Sequence, residues 1–180
     1  MNYALEANNY LFLPNFISRE RALSLAQGLQ KHHALHPMPP DPLVPGASAI
    51  YNYLPFVRLL VEKIPEVEAL CEERVLPTYT YARLYSHGES LRAHEDRDAC
   101  ELSLTLNLDA DQVWPIWLKT PGGDAVAVHL QAGDAMMYLG CQTTHWREPF
   151  QGGRCCQVFM HYVFSFGHRA YAYFDTQRAP

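Results

Sequence analysis

His94-Glu95-Asp96 is a stretch of this chain whose residue types and spacing could do chemistry. Side chains at i and i+2 of an extended segment point the same way, so the His94 imidazole and the Asp96 carboxylate can reach one ion. A second imidazole from elsewhere would complete a two-histidine, one-carboxylate set, the donor pattern that holds iron(II) and leaves coordination positions open. The bare pattern is weak evidence. In a chain of 180 residues with nine histidines and 19 acidic residues, His-x-Asp/Glu arises about once by chance. His87-Gly88-Glu89 is a second instance. The weight therefore falls on what surrounds the motif.

Downstream, Gln131-Ala132-Gly133-Asp134 reads as a turn and Ala135 to Leu139 as a buried strand. Thr144-His145-Trp146-Arg147 follows and offers His145 as the third ligand. Arg154 then opens a strand whose alternation puts Arg154, Cys156, Val158, Met160 and Tyr162 on one face. That places an arginine at the mouth of an otherwise apolar barrel. A buried cation needs a counter-anion, and a planar guanidinium is suited to gripping a carboxylate with two hydrogen bonds.

The elements that must position these groups change character along the chain. Tyr10 to Leu13 reads as a short strand stopped by Pro14. Ser18 is an N-cap for a helix over Arg19 to His32, with Leu23, Leu25, Ala26 and Leu29 on its apolar face. Five prolines between His33 and Pro45 exclude regular structure and predict a loop over the surface or beside a cleft. A second helix is expected over Pro55 to Ile64, continuing after a break from Pro65 to Cys71. From Thr78 onward β-formers dominate. Thr78 to Tyr85 reads as a strand, Glu101 to Leu108 alternates as a half-buried strand would, and Ile116 to Lys119, Ala125 to Leu130 and Cys156 to Phe164 follow. Gly-rich turns punctuate them. The expected fold is mainly β with flanking helices, a jelly roll. The chain reads as one domain, 1–180, with mostly helical support over 1–76 and the β core over 77–175.

Composition sets outer limits. A 48% hydrophobic, 18% charged chain is globular rather than disordered. A net charge of −5 argues against broad phosphate binding, so nucleic acid is not an expected partner. No run reaches the ~18 apolar residues of a membrane span, and the first residues lack a signal-peptide layout. Five cysteines without a CxxC pair fit a reduced, cytoplasmic protein with free thiols rather than a vicinal Cys155–Cys156 disulfide.

Taken in order, these pieces resemble the iron(II)/2-oxoglutarate-dependent dioxygenase superfamily, and within it the prolyl-4-hydroxylase-like branch. "YLFLPNFISRE" (10–20) is similar to the branch's opening strand and helix start, and "YSHGESLRAHED" (85–96) to its tyrosine, turn and HxD segment. "SLTLNL" (103–108) resembles the next strand, "QAGDAMMY" (131–138) the turn and strand before the distal histidine, and His145 and Arg154 complete the series. Leu91 stands where an aromatic is often found, and the strand after the HxD arrives sooner than in many relatives. The resemblance implies a double-stranded β-helix (jelly roll, cupin-like), with iron(II) held by His94, Asp96 and His145. It also implies 2-oxoglutarate as co-substrate, its far carboxylate held by Arg154 with Tyr85 and Thr105 nearby, and dioxygen as oxidant. The implied reaction is hydroxylation of a carbon centre in a peptide, protein side chain or amino-acid-like small molecule. Asp96 favours hydroxylation over halogenation, because related halogenases lack the carboxylate. The competing expectations are a non-catalytic metal-binding or 2-oxoglutarate-sensing jelly roll, and a metal-free domain in which the two histidines merely pack.

Other candidates read as structural. His129 is expected in the core or at the surface, His87 in a turn, and His161 facing away from Arg154. Trp114 and Trp117 could wall a substrate pocket but read more readily as core. Arg92 and Arg147, flanking the two halves of the metal motif, could grip an anionic substrate group but read more readily as solvated side chains. Asp98 is a candidate for ordering the HxD loop.

Overall fold

Residues 1–174 are described by the computed structural model; the expected end of the β core, at 175, falls outside them. Asn2 caps a short helix, α1 (Tyr3–Asn8), which leads into β1 (Tyr10–Leu13). Helix α2 (Arg19–Leu35) starts where its N-cap is expected, with the Ser18 hydroxyl accepting from Arg21 N at 3.2 Å, and runs three residues past His32. After the proline loop come β2 (Ser48–Tyr51), α3 (Leu54–Glu62) and α4 (Ile64–Cys71). The core strands are β3 (Val75–Ser86), β4 (Leu91–His94), β5 (Leu102–Ala110), β6 (Ile116–Lys119), β7 (Ala125–Val128), β8 (Ala135–Tyr138), β9 (His145–Arg147) and β10 (Arg154–Phe164).

The strands form two antiparallel sheets. The larger runs β1-β8-β5-β10-β3-β2 and the smaller β4-β9-β6-β7. Their interleaving along the chain makes the double-stranded β-helix. The outer face of the large sheet is covered by helices. Leu102, Leu104, Leu106 and Leu108 of β5 and Cys156, Val158, Met160 and Tyr162 of β10 pack with Ala22, Ala26 and Leu29 of α2 and Phe56, Leu59 and Leu60 of α3. Each fully buried leucine contributes roughly 1.5–3 kcal/mol.

This packing corrects two expectations. The alternation of β5 does not mark a half-exposed strand: Leu102 to Leu108 are all buried, and the polar set Ser103, Thr105 and Asn107 faces the barrel interior rather than water. The same parity applies to β10. Cys156, Val158 and Met160 face the helices, while Cys155, Gln157, Phe159 and His161 line the barrel, whose interior is therefore not apolar.

The proline loop is irregular, as expected, but it is anchored inward. Its Asp41 carboxylate accepts from the Tyr81 hydroxyl and from Arg83 Nε at 2.6 Å, and from the backbone N–H groups of Leu43 and Val44. Val44 and Ala47 pack on Tyr85, Leu91, Trp114 and Phe150. The loop thus closes the barrel wall beside β3. The five cysteines are free, and among the described residues no helix is long and apolar enough to cross a membrane.

Candidate metal centre

The register of the small sheet sets His94 at the end of β4 directly opposite His145 at the start of β9, with a bulge just before His94. Their rings lie 4.3 Å apart between centroids. Asp96 follows in the loop after β4, where its N–H donates to Gly140 O at 2.9 Å. The three donors converge: His94 Nε2 and His145 Nε2 are each 3.7 Å from Asp96 Oδ1, and one ligand atom from each residue lies within 4.8 Å of the others.

The far sides of these groups are held as well. His94 Nδ1 is 2.9 Å from Arg92 O and His145 Nδ1 is 2.9 Å from Thr143 O, in each case the carbonyl two residues earlier. A carbonyl only accepts, so both Nδ1 atoms carry hydrogen and both Nε2 lone pairs face Asp96. Burial pulls His145 below its ordinary imidazole pKa, which favours the neutral, ligating form. Asp96 Oδ2 accepts from the Ser103 hydroxyl at 2.9 Å, leaving Oδ1 toward the histidines. Behind Ser103 lies His161 Nδ1 at 2.9 Å, on a ring that burial holds down at a pKa of about 4. The Tyr138 hydroxyl is 3.5 Å from His145 Nε2, and burial keeps it a phenol. Gly140 admits this crowding: a Cβ there would meet Cys100 O at 2.2 Å and Asp96 Oδ2 at 2.6 Å. The donor types, their convergence and the fixed tautomers fit a divalent iron, which His94, Asp96 and His145 would hold.

The residues expected to hold the co-substrate are arranged differently from the sequence-based expectation. Arg154 sits on the outward face of β10, its side chain 56% exposed, and pairs with Asp109 at 2.9 Å. Strand parity is the physical reason, since Arg154 shares its face with the helix-packed residues. Tyr85 and Thr105 do point into the barrel. Tyr85 accepts from Arg83 Nη1 at 3.2 Å and packs edge-on to Trp114, while Thr105 Oγ1 donates to Gln157 Oε1 at 3.4 Å. Arg147 is not solvated but 1% exposed, and its guanidinium lies 4.8 Å from the centre of the Trp114 ring. Trp114 is buried, as expected; Trp117 is only half-buried and stacks on Trp146. His87 and His129 are exposed, and neither belongs to the converging set of donors. Asp98 binds Arg169 Nε at 3.0 Å and the Tyr171 hydroxyl, tying the turn after the HxD to the C-terminal segment.

Sequence reasoning missed Ser103, Gly140, Gln157, Arg83 and Asp41, and misplaced Arg147. A usable signal for Arg147 was present. It stands two residues after His145, the same spacing that pairs His94 with Asp96.

No family model and no curated protein matches the sequence. Solved structures do match the fold. A prolyl-4-hydroxylase from Pseudomonas putida superposes with a TM-score of 0.71 at 15% identity, covering 87% of this chain and 94% of that one. The non-haem α-ketoglutarate-dependent carbocyclase SnoK of nogalamycin biosynthesis gives 0.76 at 10% identity, over 92% and 85%. HygX from Streptomyces hygroscopicus, solved with nickel and 2-oxoglutarate, gives 0.72 at 14% identity, over 91% and 86%. At such identities the likeness is one of fold: the chain has the double-stranded β-helix of the non-haem, 2-oxoglutarate-dependent oxygenases.

Proposed function

We propose that the protein is an iron(II)- and 2-oxoglutarate-dependent dioxygenase of the prolyl-4-hydroxylase-like kind, hydroxylating a carbon centre of a peptide, a protein side chain or an amino-acid-like small molecule. The observation that carries this reading is the convergence of His94 Nε2, Asp96 Oδ1 and His145 Nε2, with both rings locked from behind by backbone carbonyls. The solved structures of the same fold support it, since they include enzymes with 2-oxoglutarate and a metal bound.

Iron(II) held by His94, Asp96 and His145 would supply dioxygen activation there, with 2-oxoglutarate oxidised to succinate and carbon dioxide, one oxygen atom ending in succinate and the other in the hydroxylated substrate. The protein's own residues do the rest. The two imidazoles and Asp96 fix the ligand geometry, and Ser103 holds the second carboxylate oxygen so that Asp96 presents one oxygen to the site. Tyr79, Tyr81 and Phe159 fill the barrel beside the centre and exclude water. His94 is the ligand nearest solvent, half-buried where His145 is fully buried, so substrate approaches from its side.

Succinate formation from 2-oxoglutarate by the iron-loaded protein under air tests the reading. It is expected for the wild type even without substrate, at a slow uncoupled rate, and absent in His94→Ala and Asp96→Ala. Stoichiometric metal binding without succinate under any substrate would favour the non-catalytic jelly roll. Undiminished succinate in both ligand variants would remove the metal assignment.

A further inference from the structure

We propose that Arg147, rather than Arg154, anchors the far carboxylate of the co-substrate, an inference that rests on the 2-oxoglutarate reading above. Arg147 follows His145 by two residues on β9, so both side chains enter the barrel from one strand face. It is buried, and among the described residues no carboxylate forms an ion pair with it. Of its five N–H groups, one on Nη1 donates to Trp114 O and one on Nη2 to Gln157 Oε1, each at 2.7 Å, and the Nε–H reaches no acceptor. Both partners are neutral. A guanidinium buried without an anion is costly. A ligand carboxylate delivered into the barrel removes that cost.

The neighbouring Arg83 is also buried, but its charge is already matched by Asp41 at 2.6 Å. That leaves Arg147 as the uncompensated cation. From His145 to Arg147 the strand rises roughly 6.6 Å. A five-carbon diacid that chelates metal through its keto-acid end carries its second carboxylate about that far away. Gln157, reaching across from β10, and Thr105 from β5 complete the polar wall. Arg154 lies on the other side of β10 with its charge answered by Asp109.

Anaerobic calorimetry on the iron(II)-loaded protein tests this with 2-oxoglutarate and with pyruvate, which keeps the chelating keto acid but lacks the far carboxylate. The wild type is expected to prefer 2-oxoglutarate by roughly 10- to 100-fold, the worth of a charged hydrogen-bonded pair. Arg147→Gln should erase most of that preference by weakening 2-oxoglutarate while leaving pyruvate unchanged, and Arg147→Lys, which keeps the charge but not the two-pronged geometry, should retain part of it; a merely structural role would weaken both acids together. Arg154→Ala should match the wild type. Loss of the preference in Arg154→Ala, or its full retention in folded Arg147→Gln, overturns the assignment. Should Arg147→Gln not fold, the Arg154→Ala arm decides by the same criterion. Failure of the wild type to bind either acid would instead remove the co-substrate reading itself.

Discussion

In the proposed metal centre the Ser103 hydroxyl is a group that would never touch the metal yet orients one of its ligands. It donates to Asp96 Oδ2 while His161 stands behind it, so the carboxylate has one free oxygen and one orientation. Removing such an outer partner costs roughly 10- to 100-fold in metal affinity. Ser103→Ala is therefore expected to weaken iron(II) binding by about that factor while leaving the fold intact, as metal-competition titration and circular dichroism would show; unchanged affinity would mean that Asp96 is held by other contacts. Among single residues the sequence was legible where chemistry is local. His94 and Asp96 stand out by residue type and spacing, the downstream context and the family resemblance add His145, and the structure brings the three together. Ser103 was hidden because a serine in an alternating strand looks like a solvent-facing residue, and only barrel closure shows that the polar face points inward.

Strand parity explains the rest of the site. On β10 a shift of one position separates the helix-packed face from the barrel lining, so Arg154 points out and Cys155 and Gln157 point in. Alternation grouped Arg154 correctly with Cys156 and Val158 but could not say which face was interior. The bulge between Cys156 and Gln157 in the β5 pairing was likewise invisible in the sequence. The proline loop is a second element with its own energetics. Burial alone would raise the Asp41 carboxyl, but the charge of Arg83 and hydrogen bonds from Tyr81, Arg83 and the Val44 N–H outweigh it and hold the group below its ordinary value. A carboxyl depressed in the folded state stabilises fully above its unfolded pKa, and that contribution disappears as pH falls through the folded value. The loop's anchor should thus be complete at neutral pH and lost in acid. Asp41→Asn should cost roughly 3–5 kcal/mol at pH 7 by leaving Arg83 buried without its partner, and should flatten the acid limb of stability against pH. Urea unfolding between pH 7 and about pH 3 measures both; equal stability of variant and wild type at neutral pH would show that the loop is held by its apolar contacts instead.

In the molecule as a whole, a large sheet backed by helices and a small sheet carrying both histidines enclose a barrel whose lining is polar where a diacid would lie. The helical first half and β second half were legible from periodicity and proline placement, because α2 and β5 are long and regular. The strands β2, β4 and β9 were not: equally short strands such as β6 and β8 stand out by their apolar runs, whereas Leu91–His94 and His145–Arg147 are mixed in polarity and β2 sits just after the proline loop, so all three are made extended by their neighbours in the sheet. The proposed chemistry stands or falls on whether this barrel holds iron(II) through His94, Asp96 and His145 and chelates 2-oxoglutarate on it. Anaerobic titration with iron(II) and then 2-oxoglutarate, followed by visible absorption, reads both events in one experiment. One equivalent of iron is expected, with a weak charge-transfer band that grows with 2-oxoglutarate and is absent in Asp96→Ala; iron binding without any band, or no iron binding at all, would contradict the proposal.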